Sequence, residues 1–567
     1  MPPDERQPTP TEPAATEPDE SGAHLPPSAE EPPEAAARAG AEAPATRGHR
    51  LALSTAFFSF ATGLSRIAGL AREIIAAGLF GVSGAMSAFT IAFQVPNLVR
   101  ALVADSALQG AFVPVFTELL EKGERREAFR LASGLFFLLT LVLGALTALF
   151  VLAAPMLIPV IAPGFDPALE SLTVSLARLM FPIVLLLALS GLVVGMLNSF
   201  EHFSVPALAP LAWNAVIIGA LVGLTPLLPE GDEIYAYAIG VLAGTGVQLV
   251  LPMPWLRGRG GRLTLSTGLR DPRVWRVLRL MLPVTIALGL INFSLLINSF
   301  FGTLVSEEAP AAIDKAFRIY MLPQGLFSVA VATILFPTLS RFAARGAVDD
   351  LRATMANGVR AISLLLIPSA AAIAVLAEPI TRLVYERGAF GDQATDLVAA
   401  ALFWWAFSLP FQGVSLLFSR TFFSLQRPWV TTALAGANLA LNAVVALALY
   451  RPLGVAGIVI GTVVSTVAMT VAQGLLLRSD LGGIEGFRTL AAGARMLVAA
   501  VALVGVAYAV WVPLDAALGR SLGAQAASIG GALAAGGAVY AAAVMLLRVP
   551  EAHQVAGLVR ERLGRRG

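Results

Sequence analysis

Apolar residues along this chain are grouped in long continuous runs, separated by short polar stretches rich in arginine, proline and glycine. Spanning the hydrocarbon layer of a bilayer, about 30 Å thick, takes about 20 helical residues. Fourteen runs reach that length, near 53–79, 84–108, 128–155, 172–200, 204–228, 233–257, 274–304, 309–340, 355–378, 395–425, 428–450, 454–478, 490–514 and 523–548. The runs lack the inside/outside alternation of barrel strands, so helices are expected. The expectation is an all-α polytopic membrane protein with fourteen transmembrane helices. The first 50 residues are different: eleven prolines, ten acids and four arginines, with no apolar run. They cannot bury enough apolar surface to offset the entropy of ordering, and they are not a signal peptide.

Composition agrees with the pattern. Of 567 residues 57% are hydrophobic and only 13% charged, with a mean hydropathy of +0.76; a soluble chain would carry about 25% charged residues. The net charge of +2 offers no broad basic surface for nucleic acid. The absence of cysteine removes disulfides and thiolate metal sites, and His24, His49, His202 and His553 form no ligand-spaced pair.

Arginine placement orients the chain. With the N-terminus inside, the cytoplasmic loops and C-terminal tail hold 24 Arg and Lys residues; the outer loops hold four, namely Arg382, Arg387, Arg451 and Arg520. Both termini are therefore expected in the cytoplasm. The basic "RGRGGR" at 257–262 reads as an anchor on anionic lipid.

The chain also repeats. "GAFVPVFTELLEKG" (110–123) matches "TILFPTLSRFAARG" (333–346) at an offset of 223. "FPIVLLLALSGL" (181–192) faces "LPFQGVSLLFSR" (409–420), and "WNAVIIGALV" (213–222) faces "LNAVVALALY" (441–450), both at 228. Three motifs in one order at a nearly constant offset imply duplication. The expected layout is a disordered acidic, proline-rich cytoplasmic tail at 1–50 and two pseudo-symmetric six-helix bundles at 51–257 and 258–478. Two extra helices at 479–550 and a basic cytoplasmic tail at 551–567 complete it. Duplicated bundles commonly enclose a central site and rock around it.

Ionisable residues inside the runs carry the candidate chemistry, because a central charge is costly and should face a bundle interior or a watery cavity. Arg66, Arg72 and Glu73 fall in the first run, Arg100 and Asp105 in the second, and Asp314, Lys315 and Arg318 in the eighth. At 1.5 Å per residue, Arg66 lies about 20 Å from the inner start of its span and Arg318 about 13 Å from the outer start of its own. One cation from each half could thus share a level, with Arg72 nearer the outer face and Arg100 nearer the inner. The expectation is a ladder of Arg66, Arg72, Arg100 and Arg318 with Glu73, Asp105 and Asp314 as supporting acids. Arginine forks match phosphate oxygens two at a time, so a diphosphate is the natural ligand. The structural alternative is that Arg72 with Glu73, Arg100 with Asp105, and Asp314 with Arg318 are local pairs that hold helices together, and that Arg178 and Arg420 snorkel. Asn438 and Asn442, one turn apart, could offer carbonyl oxygens to Na⁺, or could make interhelical hydrogen bonds. The pairs Gly191/Gly195, Gly240/Gly244 and Gly457/Gly461 have the spacing of close helix packing.

The stretch "GLSRIAGLAREIIAAGLFG…SAFTIAFQVPNLVRALVADSALQGAFVPVF" (63–116) resembles the signature of the MurJ/MviN family of lipid II flippases. That family lies within the multidrug/oligosaccharidyl-lipid/polysaccharide exporter superfamily. The similarity runs over residues 51 to about 550 and includes "APGF" (162–165), "NSFEHFSVPALAP" (198–210) and "RIYMLPQGLFSVAVATILFPTLS" (318–340). The resemblance implies a transporter of the bacterial cytoplasmic (inner) membrane. It would move undecaprenyl-diphosphate-linked muropeptide, lipid II, from the inner to the outer leaflet by alternating access. The last two helices would form a groove for the lipid tail, and cell-wall synthesis proteins would be partners. The family's arginines fall on Arg66, Arg72, Arg100 and Arg318, and its acid in the second span on Asp105. Two acids common in the family are replaced, by Ser87 and Phe317. Some members bind Na⁺ through a carboxylate in spans 7, 11 and 12, where this chain offers Asn438 and Asn442; no other cofactor is implied. The competing readings are a related polysaccharide-lipid or drug exporter, an intramembrane enzyme on polyprenyl diphosphate, and a non-transporting scaffold. Drug antiporters for organic cations want acids in the cleft, and an enzyme wants paired carboxylates for Mg²⁺ or a general base, which the predicted membrane edges lack.

Overall fold

A computed structural model describes residues 44–103, 106–259, 261, 271–554 and 557. Phe57–Gly567 forms one compact unit, and residues 1–43 of the expected tail lie outside the described residues. Among the described residues the regular structure is helical throughout. In chain order the helices are α1 (Pro44–Phe80), α2 (Gly84–Val103), α3 (Ser106–Glu121), α4 (Arg125–Ile161), α5 (Pro167–Met180), α6 (Ile183–Ser199), α7 (Ser204–Leu224), α8 (Ile234–Val250) and α9 (Pro272–Thr303). There follow α10 (Ala309–Pro323), α11 (Val329–Ala344), α12 (Val348–Val375), α13 (Ala377–Tyr385), α14 (Asp392–Ala406), α15 (Leu409–Ser424), α16 (Pro428–Asp480), α17 (Gly486–Leu518) and α18 (Leu522–Leu546). A π-helical turn, Gln324–Ser328, joins α10 to α11.

Starts and stops follow local chemistry. Asp166 accepts a hydrogen bond from Leu169 N at 2.7 Å and Pro167 occupies the first helical position, so α5 begins there. Asp271 and Pro272 do the same for α9, with Arg273 N as the donor at 2.9 Å. In α16 Gly454 has φ 57° and ψ −135°, a conformation that only glycine adopts without strain, and it turns the chain in mid-run.

Nine of these helical segments are long and apolar enough to cross a membrane among the described residues, ten if the bent pair α14–α15 is one span. The fourteen expected crossings exceed that count. One source is visible: α16 is a single run of 53 residues, about 80 Å of helix, enough for two passages on either side of Gly454. The surfaces suit lipid. Only 22% of the residues in the most apolar stretch of α4 are buried, and Leu152, Met156 and Val160 stand exposed on it. In water such a face would have to be covered.

The duplication is visible in the helix boundaries. The offset of the first sequence motif separates Ser106 from Val329, which open α3 and α11. It also separates Arg125 from Val348, which open α4 and α12, and Phe80 from Thr303, which close α1 and α9. Each of α3 and α11 has 16 residues and an internal proline, Pro114 and Pro337. The small-residue pairs pack closely: a Cβ on Gly240 would meet Ala220, and one on Gly457 would overlap the Leu449 carbonyl.

α17 and α18 pack on each other and on α12, around Met496, Leu503, Ile529 and Tyr540. Ion pairs pin both ends of this unit. Arg360 on α12 bonds Glu551 beyond α18 and Glu485 before α17, the latter at 3.0 Å. Arg382 on α13 pairs with Asp515 on α17.

Candidate functional site

The first and second halves meet where helix ends need partners. The last carbonyls of a helix and its first N–H groups have no partner within it. Near the end of α1, the Gly78 carbonyl accepts from Ala389 N at 2.8 Å. At the start of α10, Ala311 N donates to Ser87 Oγ on α2 at 3.1 Å. Each half thus completes a helix end of the other. The fit is tight: a Cβ on Gly164 would overlap the Thr303 carbonyl, and one on Gly388 would overlap the Gly78 carbonyl. Ser87 is fully buried as a cap.

Just inside this seam lies a cluster of ionised side chains around Glu73. Its Oε1 accepts from Arg72 Nη2 at 2.6 Å and lies 3.2 Å from Arg318 Nη1. Its Oε2 accepts from Lys315 Nζ at 2.9 Å. Tyr237 O–H donates to Oε1 at 3.5 Å, its ring stacked on Phe89 at 4.0 Å. Arg318 also donates to Asp314, Nε to Oδ2 at 2.8 Å and Nη2 to Oδ1 at 3.4 Å. Three cations therefore share two carboxylates, and the set carries a net positive charge.

The surrounding helices aim these groups. Arg72 is buried, its guanidinium carbon 4.7 Å from the centre of the Trp213 ring. Trp213 is held by its Nε1–H to Thr245 Oγ1 at 3.1 Å. On the same helix, α7, Asn214 donates to the Ser65 carbonyl of α1 at 3.3 Å. Arg72 Nε is buried and makes no hydrogen bond among the described residues, so the fork retains an unused donor. Arg318 keeps 34% of its side-chain surface exposed, whereas Lys315 is wholly buried.

The structure brings together Arg72, Arg318, Glu73 and Asp314 of the expected set. Arg66, also on α1, is exposed and makes none of the contacts with Glu73. Arg100 lies on α2, with its side chain outside the described residues, and Asp105 lies outside them altogether. In the sequence Lys315 stands out only as a charge at the head of its span. Its pairing with Glu73, which lies in the other half of the chain, has no local signal in the sequence. Nor has the part played by Tyr237 and Trp213. Arg178 donates its Nε–H to the Val151 carbonyl at 2.9 Å, and Arg420 lies over the Phe336 ring at 5.3 Å; neither touches the cluster.

A second polar cluster joins α9 and both halves of α16. Asn442 Nδ2 donates to Asn298 Oδ1 at 3.1 Å, and Asn298 Nδ2 donates to Thr462 Oγ1 at 3.0 Å. Thr462 Oγ1 lies 3.4 Å from both Asn298 Oδ1 and Asn442 Oδ1. Asn438 Oδ1, one turn from Asn442, is buried without a hydrogen-bond partner among the described residues. No group of three or more His, Asp or Glu with metal-holding geometry occurs among the described residues.

Long apolar helices, a duplicated chain and a cation-rich cluster at the meeting of the two halves define a multi-pass membrane transporter. The family profile described as Lipid II flippase MurJ matches residues 76–517. The chain is 34% identical over 398 residues to a protein of Rhizobium meliloti named "Probable lipid II flippase MurJ", covering 70% of this chain and 74% of that one. It is 33% identical over 347 residues to "Lipid II flippase MurJ" of Burkholderia cenocepacia, covering 60% and 67%. Its fold matches a solved structure titled "Lipid II flippase MurJ, inward closed conformation" with a TM-score of 0.71 at 21% identity, over 86% of this chain and 98% of that one. A multidrug resistance MATE family transporter in an inward-facing conformation matches with a TM-score of 0.63 at 16% identity, over 74% and 94%. This chain belongs to the lipid II flippase MurJ family.

Proposed function

We propose that this protein is a flippase, not an enzyme, and that it moves lipid II from the inner to the outer leaflet of the bacterial cytoplasmic membrane for peptidoglycan synthesis. Family membership supports the substrate. The observation that carries the chemistry is the cluster at Glu73, where Arg72 and Arg318 come together from the two halves in a set that, with Lys315, holds three cations to two carboxylates. A diphosphate can take the place of Glu73 Oε1 as acceptor for both guanidinium groups, gaining charge-assisted bonds in a poorly hydrated setting. Arg66, and Arg100 on α2, serve as earlier contacts along the route from the inner face.

Exchange of Glu73 for diphosphate couples binding to movement. While Glu73 holds Arg318 and Lys315, α1 and α10 are drawn together and the glycine seam is shut. Substrate that draws Arg318 away loosens that tie, so the two halves, 51–257 and 258–478, rock about the site. The pair of helices within 479–550 guides the lipid tail, and its arginine-pinned packing on α12 and α13 makes it move with the second half. Fourteen spans with both termini in the cytoplasm complete the reading. Reporter fusions after Pro229 and Gly482 should read outside and inside respectively, and the reverse at either site would overturn the topology.

A sodium ion is the proposed coupling ion, held through Asn438 and Asn442. The buried Oδ1 of Asn438, without a hydrogen-bond partner among the described residues, favours it, and the all-neutral oxygen set implies weak binding.

Depletion of the protein tests the central reading. Lipid II should become inaccessible to probes outside the cell while it accumulates inside. Unchanged outer-leaflet accessibility would overturn the proposal.

A further inference from the structure

Lys315 is the cation of the cluster that takes no part in holding the diphosphate in the reading above, and it is also the most deeply buried, with no exposed side-chain surface. A lysine in that position is retained only with a charged partner, because desolvating an ammonium is costly. Its partner is Glu73 Oε2 at 2.9 Å. The Tyr385 ring lies 5.6 Å from Nζ, and the Tyr385 hydroxyl donates to the Lys315 carbonyl at 3.3 Å. These contacts fix both the ammonium and the backbone that carries it.

The carboxylate is divided between two kinds of partner. Oε1 serves the arginines and Oε2 serves the lysine. Arg318 is one-third exposed and has Asp314 as a second acceptor; Lys315 has neither. An anion arriving at the cluster therefore meets arginine, and cannot displace Lys315 without moving α10. Once the anion has drawn Arg318 from Oε1, Glu73 would stand beside it as a second, under-compensated negative charge. Like charges close together in a poorly hydrated site repel strongly, and Glu73 would compete for the same guanidinium groups.

We propose that Lys315 is a positioning residue for substrate binding. It is the standing counter-ion of Glu73, which releases Arg72 and Arg318 to a diphosphate while keeping the carboxylate neutralised. The proposal rests on the diphosphate reading of the two arginines. It adds that the affinity of that site is set by a lysine that never touches the ligand.

The test uses full-length purified protein and inorganic pyrophosphate as the probe, with calorimetric binding as the readout. Lys315→Met should weaken binding at least tenfold, and Lys315→Arg should hold it within about threefold. The deciding variant is Glu73→Gln/Lys315→Met, which removes the two opposite charges together, so the cluster keeps its net charge and an amide oxygen remains as acceptor for Arg72 and Arg318. It should bind pyrophosphate within about threefold of the parent, although it flips lipid II poorly because the tie between α1 and α10 is gone. A purely structural lysine would not be rescued in binding by a second substitution. Binding by Lys315→Met within twofold of the parent would overturn the proposal, as would a double variant as weak as Arg318→Ala. If Arg72→Ala and Arg318→Ala themselves bind pyrophosphate normally, the diphosphate reading fails first. If they lose binding while Lys315→Met keeps it, only the role of Lys315 falls.

Discussion

Two of the buried polar clusters among the described residues join helices across the chain, and they differ in charge. Around Glu73, three cations and two carboxylates join α1 to α10, with Arg318 still partly open to solvent. Around Asn442, two amides and a hydroxyl join α9 to α16, with Asn298 and Asn442 each 1% exposed. Both tie together helices far apart in sequence. The charged cluster has more donors than acceptors and can accept an incoming anion. The amide cluster is closed on itself, and Asn438 Oδ1, one turn away, has no hydrogen-bond partner among the described residues. An interhelical amide bond is worth roughly 0.6–2 kcal/mol in a membrane, whereas a buried ion costs several unless it is paired. An excess of cations kept inside a membrane at that cost belongs where an anion binds; balanced pairs such as Arg382–Asp515, or amides, suffice where helices need only be joined.

The largest expected effect breaks the charged cluster. Glu73→Ala deprives three cations of their shared acceptor, and losing one partner of a buried ion pair costs about 3–5 kcal/mol. Membrane abundance and thermal melting of the purified protein should both fall sharply; normal values would mean that Glu73 is not the tie between the halves. Arg72→Ala and Arg318→Ala come next, each weakening diphosphate binding by about 1.5–3 kcal/mol, roughly tenfold to 150-fold. Lysine at either position keeps charge without the fork and should restore only part of the binding. Arg178→Ala and Arg420→Ala, whose side chains meet a carbonyl and a ring outside the cluster, should flip lipid II near the parental rate per molecule. If those two fail while the cluster variants flip normally, the site has been put in the wrong place.

In the amide cluster, Asn442→Ala should cost about 1–2 kcal/mol of stability through the stranded Asn298 and Thr462. Flipping per inserted molecule should change by less than about threefold. A loss of flipping at undiminished stability would instead mean that transport depends on the sodium site at Asn442 far more than weak binding implies. The smallest effect is expected from replacing Na⁺ by K⁺ in a reconstituted assay. An uncharged oxygen set binds weakly, because affinity falls with the charge of the ligands, so the rate should drop by no more than about twofold, and Asn438→Ala should abolish the difference. Equal rates in both salts for the parent would remove sodium from the account.

The membrane character of this protein was legible in its sequence because hydropathy is additive along a helix and needs no knowledge of neighbours. Asp166–Pro167, Asp271–Pro272 and Gly454 likewise mark their own boundaries through local backbone chemistry. The duplication was visible in three motifs, and the offset of the first returns between paired helix boundaries. Arg72 and Arg318 could be singled out because an ion in an apolar run demands an explanation wherever it points. Which ions meet is a different kind of fact. That Glu73 belongs to Lys315 and Arg318 as well as to adjacent Arg72, that Arg66 stays apart from them, and that Ser87 caps α10 depend on which helix faces cross. Those faces are chosen by packing between segments from opposite halves of the chain. Tertiary structure alone decided them, because ion pairing falls off over a few ångströms and sequence spacing carries no distance across a bundle.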